Sequence, residues 1–411
     1  MNFKKEYKRI FFYFFLLVII IFIVSYLLKI SRPILDNFIV PSSQPAPLII
    51  SNEEFKADVY FSNEESPVNF SALIIKEIDR AQKTLEIAMY SFKSLPLEEA
   101  VYRASERGVK VFLILGSQDQ AAHDIYFNHL PKGIKRLDLG AKNESGNTAL
   151  MHHKFAIIDR GEINQKLIFG SFNWTKLQEE YDQSFLLIST NGETIKSFGQ
   201  EFTRLFSRNS GREKLRANAY SAWALNLRAG SSNNEVWFGP GRSDQNMEAR
   251  IRELIKEAKR EIKIIVWHFT DKSLAEEIIK KAETGVKIII ITDSFNFNNR
   301  DSVFPNLLAK KRELKLNNLE ILTDDSLTLN TAPTSTSLAA DAIPKIDQFL
   351  HHHLLIIDNE KVLFGTNNWS KSGFFFNDEA SIITNESKIL DRFLKSFDYN
   401  YRAGKVVLAG S

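Results

Sequence analysis

The sequence predicts an α/β protein made of two tandem, pseudo-twofold packed domains preceded by one transmembrane helix. Three observations predict it: a long internal repeat, alternating strand-like and helix-like segments inside each copy, and an uncharged apolar run near the N-terminus.

The repeat divides the chain. DVYF (58–61) returns as EVWF (235–238), MYSF (89–92) as VWHF (266–269), and RGVKV (107–111) as TGVKI (284–288), each at an offset of 177 residues. A constant offset over so long a stretch marks duplication. Within each copy the DVYF-type strand precedes an amphipathic helix (73–83 and 250–260), a buried strand (85–90 and 262–267), a second helix and a third apolar strand, VFLIL or IIIIT. That alternation is the pattern of α/β layers.

The apolar run covers residues 10–28, 19 residues without a charge. At about 1.5 Å per residue it matches one hydrocarbon core of roughly 30 Å. No A-x-A-like cleavage site follows, so it reads as an uncleaved anchor. Lys4, Lys5, Lys8 and Arg9 precede it, whereas only Lys29 and Arg32 follow closely. The positive-inside rule then gives a single-pass cell-membrane protein with residues 1–9 cytoplasmic and the catalytic part on the extracytoplasmic side. Residues 29–54, with their PSSQPAP stretch, form a spacer; 55–205 and 235–411 are the two domains, and the polar segment 206–234 connects them.

Composition limits the chemistry. There is no Cys, so thiol nucleophiles, Cys-based zinc sites and iron–sulfur clusters are excluded. Lys and Arg number 53 against 50 Asp and Glu, which gives no global field that would draw in nucleic acid.

Five of the eight histidines fall in two segments, MHHKFAIID (151–159) and LHHHLLIID (350–358). Aligning them pairs His152 with His351, Lys154 with His353 and Asp159 with Asp358, at an offset of 199 residues. Both segments read as strands, so His152 and Lys154 share one face while His153 points the other way. By the same parity Asp159 and Asp358 belong to the opposite face or the following turn and are structural. Each strand precedes a second apolar piece with a polar turn, LIFGSFNWT (167–175) and VLFGTNNWS (362–370). These turns supply paired hydroxyls, Ser171 and Thr366, and paired amides, Asn173 and Asn368, as expected donors to phosphoryl oxygens.

The doubled H-x-K-x4-D segment, followed each time by G-[ST]-x-N-W-[ST], resembles the phospholipase D superfamily, and especially its compact nuclease-like and mitochondrial-type members. The resemblance covers the chain from about Asp58 onward. It implies two α/β halves whose histidine strands meet in one single-chain site, with no metal and no cofactor. One His attacks phosphorus to form a phosphohistidine, and the other protonates the leaving oxygen and then activates water or an alcohol. A phosphodiester has opposite apical positions for attack and departure, which agrees with the need for two such groups.

The sequence departs from the family pattern at His353, where Lys is expected, and in the downstream carboxylate. The second copy retains that carboxylate as Glu379 in FNDEASII; the first has Gln183, beside Asp182, in EYDQSFLL. A carboxylate behind His351 would raise its pKa and suit it to be the acid, leaving His152 as nucleophile. The expected catalytic set is thus His152, Lys154, His351 and Glu379, with Ser171, Asn173, His353, Thr366 and Asn368 binding phosphate. Alternation leaves only two histidines of His351–His353 on one face, which argues against a metal there. The Ser/Thr/Ala-rich insertion at 328–342 is either a lid or a structureless segment, and Phe374–Phe376 are expected to be buried against the sheet.

The expected activity is hydrolysis of a phospholipid headgroup ester at the membrane, because tethering places lipid at high effective concentration. The alternatives are an anchored metal-independent endonuclease with nucleic acid as partner, a cardiolipin synthase-like phosphatidyltransferase, and a non-catalytic phosphate-binding module.

Overall fold

The structure, a computed structural model, describes residues 56–62, 68–117, 127, 130–131, 133–142, 148–209, 234–240, 246–324 and 350–407. The predicted anchor and spacer, most of the connector and the insertion at 328–342 lie outside these residues. Among the described residues no helix is long and apolar enough to cross a membrane.

The first half runs β1 (Ala57–Phe61), α1 (Phe70–Ile78), β2 (Thr84–Met89), β3 (Phe92–Lys93), α2 (Leu95–Glu106), β4 (Lys110–Gly116), β5 (Ile134–Lys142) and β6 (Thr148–Leu150). It continues with β7 (Lys154–Ile158), β8 (Lys166–Gly170), β9 (Trp174–Thr175), α3 (Lys176–Tyr181), β10 (Phe185–Ser189) and α4 (Gly192–Phe206). The second half repeats the theme with β11 (Asn234–Phe238), α5 (Met247–Glu257), β12 (Glu261–Val266), α6 (Lys272–Glu283), β13 (Lys287–Thr292), α7 (Ser294–Phe297), α8 (Phe304–Glu313) and β14 (Leu319–Thr323). Then come β15 (His353–Ile357), β16 (Lys361–Gly365), α9 (Lys371–Phe375), β17 (Ala380–Thr384), α10 (Ser387–Ala403) and β18 (Lys405–Val406).

Strand order states the duplication in three dimensions. One sheet runs β1-β10-β8-β7-β2-β4-β5-β6 and the other β11-β17-β16-β15-β12-β13-β14-β18, matching position for position through the first seven strands. In both, the histidine-motif strand (β7 or β15) lies between an antiparallel hairpin partner and the central parallel strands.

The first helix of each half is shifted from its expected place: α1 and α5 begin three residues before 73 and 250 and end before 83 and 260. The start is set by capping, since Asn69 and Asn246 accept hydrogen bonds from the N–H groups of Ala72 and Ala249. Past the end, the chain is held by the motif aspartates. Asp159 accepts from the N–H groups of Gln82, Lys83 and Thr84, and Asp358 from those of Lys259, Arg260 and Glu261. Both aspartates have left-handed backbone, φ 51° and 55°, which turns the strand end back toward these amides.

Outer helices cover one face of each sheet: α1 and α2 bury Ile74, Leu97 and Val101 on the first, and α5, α6 and α8 bury Ile251, Ile278 and Leu307 on the second. The inner faces share a single apolar core with α4 and α10. Aromatic rings join the halves there: Phe185 lies 5.5 Å from Phe364 and 5.6 Å from Phe393, and Phe198 lies 5.1 Å from Phe238. Each such ring taken out of water contributes about 2–3 kcal/mol. Two polar contacts fix α10 to β1, Lys388 to Asp58 at 2.9 Å and Arg392 Nε to the Val59 carbonyl at 3.2 Å.

Candidate active site

The two motif histidines sit where the halves exchange backbone hydrogen bonds. His152 N–H donates to the Asp378 carbonyl (2.9 Å), Asp378 N–H donates to the Leu150 carbonyl (2.8 Å), and His351 N–H donates to the Gln183 carbonyl (2.8 Å). Each histidine is thus pinned by the chain of the other half. The rings follow the same rule: His152 is hydrogen-bonded to the backbone of Thr366, and His351 to that of Ser171. Tyr90 packs edge-on to His152 with centroids 4.8 Å apart, and Trp267, its counterpart, packs edge-on to His351 at 5.1 Å.

The carboxylate behind the histidines differs from expectation in two ways. Glu379 does not stand behind His351, so the expected ground for making His351 the acid, a pKa raised by that carboxylate, fails, and His351 is lowered instead. Glu379 Oε2 lies 2.8 Å from Nδ1 of His152, in the other half, because the crossed backbone bonds place residue 379 beside residue 152. Nor is Gln183 the counterpart of Glu379. The pairing of Leu186 with Gly170 and of Ser381 with Gly365 sets the register so that Gln183 corresponds to Asp378 and Ser184 to Glu379. Near His351 an amide is found instead: Gln178 Nε2 lies 3.5 Å from Nδ1, while Gln178 Oε1 accepts from Asn173 N–H at 2.6 Å.

The hydroxyls expected to bind phosphate turn into the framework. Thr366 Oγ1 donates to Glu379 Oε2 at 2.6 Å and accepts from Ala380 N–H at 3.0 Å, while Ser171 Oγ accepts from Phe185 N–H at 3.1 Å. Both side chains are fully buried, so it is their carbonyls that face the histidines. Asn173 and Asn368 stand two residues further on, each with a buried Oδ1 that has no partner among the described residues.

Burial governs the charges. Glu379 is pushed up to about 8 by burial, against the opposing influence of Lys154 and the hydrogen bonds from Thr366 and Asn377. Lys154 is pushed down to about 7 by burial, against Glu379, which holds its proton on. Lys154 Nζ donates to the His152 carbonyl at 2.8 Å and lies 5.3 Å above the Tyr90 ring. Burial, then Lys154, holds His152 below the usual imidazole range; burial, then Lys154 and His152, does the same to His351. His353 occupies the place of Lys154 in the second sheet, its ring 5.6 Å from that of His351. Both its ring nitrogens are buried without a partner among the described residues, and burial followed by His351, His152 and Lys154 lowers its pKa.

The intervening histidines point away. His153 Nε2 lies 2.9 Å from Glu201, which joins Arg204 and, through it, Asp378. His352 packs on Phe61 and is lowered to about 3 by burial. Among the described residues, no cluster of three or more acidic or His side chains is disposed to hold a metal.

A family model described as "Cardiolipin synthase, PLD-like domain" matches residues 74–206 and again 251–401, one match to each half. The chain belongs to the phospholipase D superfamily. Within that superfamily it is similar to a mitochondrial cardiolipin hydrolase of Xenopus tropicalis, 31% identical over 138 residues, which cover 33% of this chain and 60% of the relative. The counterpart in Danio rerio is 28% identical over 146 residues, covering 34% of this chain and 57% of the relative. The chain therefore spans rather more than half the length of these curated relatives. The phosphatidylserine synthase of Haemophilus influenzae Rd KW20 shares the fold across both halves, with a TM-score of 0.60 at 16% identity over 87% of this chain and 90% of that one.

Tyr90, Trp267 and Gln178 were not among the expected site residues. Tyr90 and Trp267 did carry a signal, since both lie in the repeated MYSF and VWHF tetrapeptides. Gln178 carried none, because its neighbour His351 is remote in sequence.

Proposed function

We propose that this phospholipase D superfamily member hydrolyses a phospholipid phosphodiester through a phosphohistidine on His152, with His351 as acid and base. The observation that carries the reading is the 2.8 Å contact between His152 Nδ1 and Glu379 Oε2 across the two halves. With the carboxylate ionised, Nδ1 donates to it and Nε2 keeps a lone pair for phosphorus. In the first step the Nε2–P bond forms and the bond from phosphorus to the leaving oxygen breaks, with His351 giving that oxygen its proton. In the second, His351 takes a proton from water, the new O–P bond forms and the P–N bond breaks. Lys154 supplies positive charge beside the phosphoryl oxygens, and a bound diester anion favours its protonated form.

Cardiolipin or a related acidic phospholipid is the first substrate to test. The names of the matched relatives support it, as does the apolar run at residues 10–28, which would hold the site at a bilayer. The family description includes synthases, so an alcohol replacing water in the second step is a variant of the same chemistry.

The test is to incubate the full chain, with chelator present, with cardiolipin vesicles, phosphatidylglycerol vesicles and single-stranded DNA, beside a His152→Ala control. Phosphatidic acid release that depends on His152 is expected. Cleavage of DNA alone would overturn the lipid reading, and silence on every substrate would favour a phosphate-binding module.

A further inference from the structure

Three exposed apolar side chains that the chemistry does not use stand close along the chain to residues that touch the motif histidines or their neighbours. β3 and β9 pair in parallel, Phe92 with Trp174 and Lys93 with Thr175, so Leu95 and Leu177 stand at matching places two residues beyond the last pair. Each is 56% exposed. Leu177 adjoins Gln178, whose amide lies 3.5 Å from the His351 ring. In the second half, Asp293 accepts from Leu350 N–H, next to His351, and two residues beyond Asp293 Phe295 is 52% exposed. Leu95, Leu177 and Phe295 are three of the six large apolar residues exposed among the described ones.

The equivalent of Leu95 in the second half is a lysine and that of Leu177 is Ser372, while a lysine precedes each of Leu177 and Ser372. Leu95 opens α2, and Lys272 opens the corresponding α6; Lys176 opens α3, and Lys371 opens the corresponding α9. All three lysines are exposed.

We propose that these side chains form a rim that docks on a bilayer containing acidic phospholipids, with Leu95, Leu177 and Phe295 entering the interface and Lys176, Lys272 and Lys371 facing headgroup phosphates. Exposed aliphatic side chains beside cations are what a membrane surface recognises. Single-stranded nucleic acid would instead be gripped by a row of stacking aromatic rings, and of these three side chains only Phe295 carries one. The arrangement presents the histidine pair to the headgroup layer without lifting a lipid into water. It rests on the lipid reading above and extends it to how the substrate is reached.

The test uses the full chain in phosphatidylcholine–phosphatidylglycerol vesicles. In Leu177→Trp the added emission is quenched when the acyl chains are brominated; unquenched added emission overturns the proposal. Leu95→Ser/Leu177→Ser turns over vesicle phosphatidylglycerol about tenfold more slowly and soluble bis(p-nitrophenyl) phosphate at the unaltered rate. An equal loss on both substrates, or a loss confined to DNA cleavage, overturns it. Quenching in a protein that cleaves the soluble diester but no phospholipid leaves the rim standing and removes the substrate assignment.

Discussion

In the first half, the residue two places beyond the motif histidine is Lys154, and the place behind the opposing histidine holds Ser184. In the second half the same two places hold His353 and Glu379. The scaffold is duplicated but its charges are not: the cation comes from one half and the carboxylate from the other. Because the carboxylate crosses the interface, both act on His152. His351 has an amide and a backbone carbonyl about its ring instead. Duplication inside one chain thus lets two copies of one motif take different tasks, each completed by the other.

Removing the histidines should break this comparison most visibly. His152→Ala and His351→Ala are each expected to lose at least about 10³-fold in lipid turnover. They should differ with a nitrophenyl diester, whose leaving group needs no acid: His351→Ala accumulates a phosphohistidine that survives an alkaline denaturing quench and is lost in acid, and His152→Ala forms none. Labelling of His351 in the wild type would reverse the roles.

Glu379→Gln comes next, with an expected loss of about 10–100-fold. Attack needs Glu379 ionised, and its pKa is raised to about 8, so that requirement strengthens as pH rises. The phosphate clamp needs Lys154 protonated, and its pKa is lowered to about 7, so that requirement weakens as pH rises. His351, held below the usual imidazole range, must also carry a proton to act as acid, so kcat/KM follows a low bell whose alkaline side falls as His351 and Lys154 lose their protons. Glu379→Gln should remove its acidic limb; a profile unchanged in shape would dissociate Glu379 from the attack.

Lys154→Met should stabilise the ligand-free protein. A lysine lowered from 10.5 to about 7 on folding binds fewer protons folded than unfolded between those values. Its cost is therefore full below pH 7 and fades as pH rises toward 10.5. Denaturant unfolding at pH 6 should show a gain of about 2–4 kcal/mol that shrinks by pH 10. A gain independent of pH would mean that packing, not charge, is responsible.

His353→Lys places in the second half the lysine found in the first and should keep activity within about threefold at neutral pH, since burial that lowers Lys154 to about 7 acts on position 353 as well. The smallest effect is expected from Ser184→Asp, which places a carboxylate in the position equivalent to Glu379. NMR titration should find the His351 imidazole raised by about one unit. No movement of His351 would show that the crossed geometry is not shared by both halves.

Much of the scaffold was legible because it follows from periodicity. The 177-residue offset reappears as two sheets of matching strand order, and the alternation along MHHKFAIID places His153 against Glu201, away from His152. Less legible was anything set by contact between the copies. Glu379 lies 227 residues from His152, and no local pattern reports that distance. The Gln183 alignment slipped by one because EYDQSFLL and FNDEASII have little in common but their apolar strands; the ladders β8–β10 and β16–β17 fix the register that composition could not. Ser171 and Thr366 were read as phosphate donors from residue type alone, but the bonds of Thr366 to Glu379 and Ala380 show its hydroxyl holding the frame. Of Phe374–Phe376, the first is fully buried as expected and the other two are only half-buried.

The crossed hydrogen bonds also make chemistry conditional on assembly. A shear of about one ångström between the sheets would stretch the 2.8 Å contact of His152 beyond useful hydrogen-bonding range and, in the same movement, loosen His351 from Gln183. In a partly folded or strained chain the carboxylate contact of His152 and the backbone tie of His351 are therefore lost together, and both form only when the two copies have closed on each other.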